Sequence, residues 1–123
     1  MKISYNTWAY SSFFVWVPAY TLDDTIKRLA KLGYDGIEIG AAAPHAYPPH
    51  LSKERRAQVR DLLDENGIQL SSMLPAPSGG PGNNPASPYI EERRATVEHY
   101  KELAELTAQW GGKTLIYLPG WII

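Results

Sequence analysis

The sequence of 123 residues predicts an α/β fold built on a parallel sheet, and three observations carry that prediction. Runs rich in aromatic and β-branched residues alternate with segments whose apolar residues recur at helical spacing. The junctions between them carry glycine, proline or an N-capping residue. Strand-loop-helix units repeated in this order need crossover connections, so neighbouring strands run parallel.

The elements follow in order. Ile3 to Tyr10 carries no helical stripe and reads as a first strand. Phe13 to Tyr20 is aromatic, contains Pro18 and reads as a loop. Thr21 followed by Asp24 is a capping-box-like start, and Leu22, Ile26, Leu29 and Ala30 continue a helix until Gly33 stops it. Gly36 to Gly40 is a short second strand and Pro44 to Pro49 a loop. Ser52 caps a helix whose Val59, Leu62 and Leu63 share a face before Asn66-Gly67 ends it. Gln69 to Leu74 is a third strand and Pro75 to Pro88 a long loop. Ser87-Pro88 is the signature of an N-cap with proline at the first helical position, and the helix runs to Trp110 before Gly111-Gly112. Its Ile90, Val97, Tyr100, Ala104 and Ala108 form one stripe, with Leu103, Leu106 and Trp110 on another side. That pattern expects a helix wedged between the sheet and a neighbouring helix. Thr114 to Leu118 reads as a fourth strand, and the chain stops at Trp121-Ile122-Ile123.

Two architectures accommodate these units, a small open sheet or the first four strands of a TIM-type barrel. The barrel is favoured, because the fourth strand runs into an apolar end without the helix that would cover it. Residues 1–123 are therefore expected to be a single domain, the N-terminal half of a longer barrel truncated after its fourth strand.

Composition narrows the chemistry. Lys+Arg 12 against Asp+Glu 13 gives a net charge of −1, which makes nucleic acid and anionic membrane poor partners. With no cysteine, disulfides, thiolate metal sites and thiol nucleophiles are excluded. No apolar run reaches the ~20 residues of a spanning helix. Ser4, Asn6, Ser11 and Ser12 interrupt any signal-peptide pattern, so a cytoplasmic location is expected.

Leu32-Gly33-Tyr34-Asp35-Gly36-Ile37-Glu38-Ile39, followed by Pro44-His45-Ala46-Tyr47, resembles the second unit of the sugar phosphate isomerase/epimerase family. These are the xylose-isomerase-like barrels that include ketose 3-epimerases and fructoselysine epimerases. Met1 to Ser4, Ser71-Ser72-Met73 and Leu115 to Trp121 are similar in position and character, so the resemblance spans the chain. It implies a sugar or sugar phosphate substrate and metal-assisted proton transfer through a cis-enediolate. In the family a divalent ion, often manganese, is held by two glutamates, an aspartate and a histidine on strands five to eight. None of these has a counterpart here, so the resemblance implies that the ion belongs to the complete barrel. This chain is then expected to bind no metal, to be inactive alone, and to pair with a C-terminal half-barrel or with itself through open sheet edges. An endonuclease-like barrel is a weaker alternative, since it would want a basic groove and more histidines. A non-catalytic fragment that associates through its edges is the alternative from another class.

No catalytic or metal residue is assigned within the chain; the candidates are substrate contacts. His45 follows the second strand on the face where barrels build active sites, and is a candidate donor to a sugar hydroxyl or phosphate, against the plainer reading of a solvated loop histidine. His50 and His99 read as surface residues. Glu38 lies between Ile37 and Ile39 and points into the barrel if the isoleucines face helices; pairing within the fold outweighs its role as a pocket lining. Trp8, Tyr10, Phe13, Phe14, Trp16 and Tyr20 are an aromatic cluster, assigned mostly to core packing. Trp8 and Trp16, with Trp121, are the candidates for a wall that stacks on sugar C–H faces. The loop from Pro75 to Pro88, which contains Gly79 to Asn84, lacks the spacing of a phosphate loop and reads as a lid bordering the site. Lys53, Arg55, Arg56, Arg60, Arg93 and Arg94 read as a solvated face.

Overall fold

The computed structural model describes residues 1–11, 19–75 and 84–120. Strands β1 (Ser4–Asn6), β2 (Gly36–Ala41) and β3 (Gln69–Pro75) form a parallel sheet in sequence order. Helix α1 (Leu22–Lys31) connects the first pair, α2 (Lys53–Glu65) connects the second, and α3 (Ile90–Gln109) follows β3. The Oγ1 of Thr21 accepts from Asp24 N–H and the Oγ of Ser52 accepts from Arg55 N–H, each at 3.1 Å. Each cap satisfies a donor that the first helical turn would otherwise leave unpaired. Gly33 and Gly67 follow the two helices with φ of +86° and +62°, a conformation that a side chain would strain.

The core lies between the sheet and these helices. Ile37 and Ile39 are fully buried and belong to one cluster with Leu22, Ile26 and Leu29 of α1 and Val59 and Leu63 of α2. Leu103, Leu106 and Trp110 extend it along α3, which packs on β3 and α2. The Trp110 indole N–H donates to the Arg56 carbonyl at 2.9 Å, so the largest buried side chain keeps its polar atom paired.

Five sequence expectations are corrected. The first strand is shorter: its ladder ends at Asn6, and Thr7–Tyr10 is a 3-10 turn because Asn6 Oδ1 accepts from Trp8 N–H at 2.7 Å. Helix α3 starts at Ile90 rather than after Ser87, whose Oγ accepts from Tyr89 N–H and caps a turn instead. Its predicted Ile90, Val97, Ala104 and Ala108 stripe is exposed, while Leu103, Leu106 and Trp110 take the core, because the helix presents that second side to β3 and α2. The fourth strand is reduced to one parallel bridge between Met73 and Leu115. Beyond it Leu118 N–H donates to the Tyr100 hydroxyl at 3.0 Å, which draws the backbone toward α3 and away from the ladder.

The basic residues are the fifth. Lys53 and Arg94 are exposed, but Arg55 bridges α2 to Asp23 of α1 through its two terminal guanidinium nitrogens, Nη1 and Nη2. Arg56 donates to the carbonyls of Leu51 and Pro48, both at 3.2 Å, and Arg93 donates to that of Ser87 at 2.7 Å. Arg60 pairs with Asp64 one turn on. These forks reach loop carbonyls and neighbouring carboxylates, which a charge count along the sequence does not register. Among the described residues no helix is long and apolar enough to cross a membrane.

Candidate active site

The carboxyl ends of the three strands carry a small polar network. Asn6 is paired with Glu38 across β1 and β2, and a one-residue irregularity after Ile37 brings Ser72 of β3 opposite the same glutamate. The Asn6 Nδ2 donates to one Glu38 oxygen and the Ser72 hydroxyl to the other. Since the flanking isoleucines face the helices, alternation turns Glu38 to the opposite face, the inner face of a barrel. The reading of Glu38 as paired within the fold is met, and the half-buried carboxylate retains lone pairs beyond those two bonds.

Directly above this network the indole of Trp8 lies on Gly40. A Cβ built on Gly40 would stand 1.4 Å from Trp8 Nε1 and 2.0 Å from Cδ1, so only the absence of a side chain lets the ring rest there. Gly40 N–H donates to Thr7 Oγ1 at 3.0 Å, which ties the 3-10 turn to the end of β2. Tyr10 and Tyr20 meet edge to face at 5.5 Å, and the Arg28 guanidinium lies 5.9 and 5.6 Å from their ring centres. Of the six-residue aromatic cluster, Trp8, Tyr10 and Tyr20 are described; Tyr20 is exposed and Trp8 half-buried, while half-buried Tyr10 packs against the hydrophobic core. Phe13, Phe14, Trp16 and Trp121 lie outside the described residues, as do positions 76–83 of the expected lid.

His45 stands where the sequence placed it, just past β2, but it is 4% exposed, which overturns the solvated-loop alternative. Its Nε2–H donates to the Tyr20 carbonyl at 2.9 Å, leaving Nδ1 as the acceptor, buried and without a partner. Burial pushes its pKa down and the bond to Tyr20 offsets part of that. The donor expected to meet a sugar is thus already engaged. A cleft of about 370 Å³ opens beside it, lined by Tyr20, Thr21, Pro44, Tyr47 and Arg55 among others. Arg55 lines one side of that cleft, and its guanidinium's hydrogen bond to Asp23 holds the Asp23 carboxyl below its usual range. His50 is exposed as expected. His99, expected on the surface, is instead half-buried between Tyr47 and Tyr100, each ring 6.3 Å away. Its Nε2 is buried and unpartnered; burial lowers its pKa and Glu102 opposes the shift.

Among the described residues no three histidine, aspartate or glutamate side chains converge on one point. Glu38 has amide and hydroxyl neighbours rather than further carboxylates, so the residues present do not fit a divalent ion.

A parallel sheet with alternating helices, and polar residues gathered at the strands' carboxyl ends, is the layout of a barrel's first units. The family model for the xylose isomerase-like TIM barrel matches residues 26–122. The chain belongs to that family. Solved structures agree on the fold of this xylose isomerase-like chain. It superposes on a D-psicose 3-epimerase determined in the presence of D-fructose with a TM-score of 0.70, at 24% identity over 94% of this chain and 36% of that one. For D-psicose 3-epimerase from Clostridium cellulolyticum H10 with D-tagatose the values are 0.71, 23%, 94% and 36%. For 3-keto-D-glucoside 4-epimerase from E. coli they are 0.56, 17%, 81% and 34%. The chain spans about a third of the length of these structures. No curated protein sequence matches it.

Sequence reading missed Asn6, Gly40 and Ser72. Asparagine at a strand end is a capping type and glycine there permits close approach, so the first two carried a local signal. Ser72 carried none, because its place opposite Glu38 depends on the irregular register.

Proposed function

We propose that this chain is the N-terminal half of a sugar isomerase or epimerase barrel and supplies walls of its substrate pocket. The observation that carries the reading is the Trp8 indole seated on Gly40 above the Asn6–Glu38–Ser72 network, at the strand ends of a xylose isomerase-like barrel. An aromatic face there can stack on the C–H side of a sugar and shield a reacting carbon from water. Trp16 and Trp121 join the reading as further wall residues. Glu38, oriented by two donors, offers its remaining lone pairs to a sugar hydroxyl. His45 shapes the rim, since its N–H secures the Tyr20 segment beside the cleft. The reaction class in this reading is proton transfer through a cis-enediolate; the divalent ion that assists it, manganese or a relative, is held by residues outside this chain.

The epimerase neighbours, described as acting on D-psicose and on a 3-keto-D-glucoside, support a sugar as the substrate class. The test is turnover of a ketohexose by the complete barrel. Trp8→Ala and Trp121→Ala are each expected to lower kcat/KM about ten- to thirtyfold, the worth of one stacking surface, with divalent-ion affinity unchanged. Unchanged kcat/KM in both variants would reduce this half to scaffold.

A further inference from the structure

We propose that Asn6 and Gly40 are positioning residues that set where the Trp8 indole stands, and that Glu38 acts on the pocket through them. The inference rests on the reading of Trp8 as a sugar platform. Its geometry is a relay of five contacts. The Glu38 carboxylate can only accept, so the Asn6 side chain must turn its Nδ2 toward it. That leaves Asn6 Oδ1 facing the opposite way, where it accepts from Trp8 N–H at 2.7 Å and caps the 3-10 turn. Ser72 donates to the second Glu38 oxygen, so the carboxylate is held from both neighbouring strands. The turn is tied to β2 by Gly40 N–H on Thr7 Oγ1, and the ring comes down on the one residue there with no Cβ. A carboxyl group on β2 therefore fixes an aromatic surface on the 3-10 turn after β1 through the two ends of a single amide.

The chemistry makes a definite demand on each member. Asn6→Asp keeps an acceptor for Trp8 N–H but sets two carboxylates against each other, so the turn loses its anchor. Adding Glu38→Gln restores one donor and one acceptor in the opposite sense, with the Gln oxygen still free for Ser72. Gly40→Ala drives a methyl into the indole, and pairing it with Trp8→Ala removes the clash.

The experiment follows the Trp8 indole N–H resonance in ¹H–¹⁵N spectra of the full chain, assigned by its loss in Trp8→Phe, with D-fructose as the added probe. Asn6→Asp and Gly40→Ala are expected to displace that resonance and to weaken its response to D-fructose about tenfold. The Asn6→Asp, Glu38→Gln pair is expected to return both to those of the unmodified chain. Thermal unfolding supplies the second measurement: Gly40→Ala should lower Tm beside Trp8 and leave it unchanged in the Trp8→Ala background. A Trp8 resonance that stays put in Asn6→Asp and Gly40→Ala, or a paired exchange that restores nothing, overturns the relay. A resonance that moves as expected in the variants, yet never responds to D-fructose in the unmodified chain, overturns the sugar platform and leaves the relay standing.

Discussion

Two histidines tie the chain's stability to pH near neutrality. His45 and His99 are each held neutral by burial, with pKa values below the ordinary 6.5, and each keeps one ring nitrogen without a partner. The unfolded chain therefore binds more protons than the folded one once the pH drops below 6.5. Their stabilising contribution is complete above that pH and is lost as the pH falls toward and through the lowered folded values. The Tyr20 carbonyl partly opposes the shift at His45, and Glu102 does so at His99. Thermal unfolding from pH 7.5 to 5 is expected to show Tm falling with acidification, and His99→Gln to flatten the fall without abolishing it. A Tm independent of pH across this interval would contradict the burial of both rings. None of this was legible from sequence, where His99 lies among charged residues and His45 among prolines. The burial of His45 depends on a carbonyl 25 residues away and that of His99 on Tyr47, which lies across the fold on the loop before α2.

At the level of elements, the caps are the most testable feature. Thr21 accepts from Asp24 N–H, and its hydroxyl donates to the Asp24 carboxylate at 2.7 Å. Thr21→Ala should cost about 1 kcal/mol, the usual worth of such a cap, read from the midpoint of urea unfolding. Arg55→Ala should cost less than its contacts suggest, within about 1 kcal/mol, because pair and partner are each about a third exposed (32% and 38%) and water screens the attraction. Trp110→Ala, by contrast, should cost about 3 to 5 kcal/mol, since it empties the core of its largest buried side chain and frees the Arg56 carbonyl. The capping residues also explain what could be read in advance. Thr21, Ser52, Gly33 and Gly67 act within one turn of their own position, so α1 and α2 were legible to within a residue or two. Helix α3 was not, because apolar residues lie on two of its sides and only β3 and α2 decide which side is covered. The shortening of the first strand came from an asparagine whose cap competes with the ladder, a contest that β propensity alone does not settle.

The whole molecule is asymmetric in a way that bears on association. One side of the sheet is packed under helices, while the other presents Ser4, Asn6, Glu38 and Ser72, with Ser4 and Ser71 hydroxyls 2.6 Å apart. In a closed barrel that inner face meets the strands of the other half; in this chain as described, β1 pairs on one side only. The far edge of β3 carries a single bridge, to Leu115. Ile3, Tyr5 and Tyr117 are exposed, at 50%, 37% and 61%, beside these two edges, so unpaired backbone groups and apolar side chains occur together. Such an edge gains by pairing with another chain. The 123-residue chain is therefore expected to self-associate, with sedimentation coefficients that rise with concentration, and to give way to a one-to-one complex when the complementary half of a xylose isomerase-like barrel is added. Mass action then requires Tm to rise with chain concentration. A charge placed on the open edge should oppose this: Tyr5→Lys is expected to shift the association toward monomer while α1 and α2, which do not depend on that edge, keep their helical signal. A monodisperse monomer across a hundredfold range of concentration, for the unmodified chain, would show that the exposed edges are satisfied without a partner.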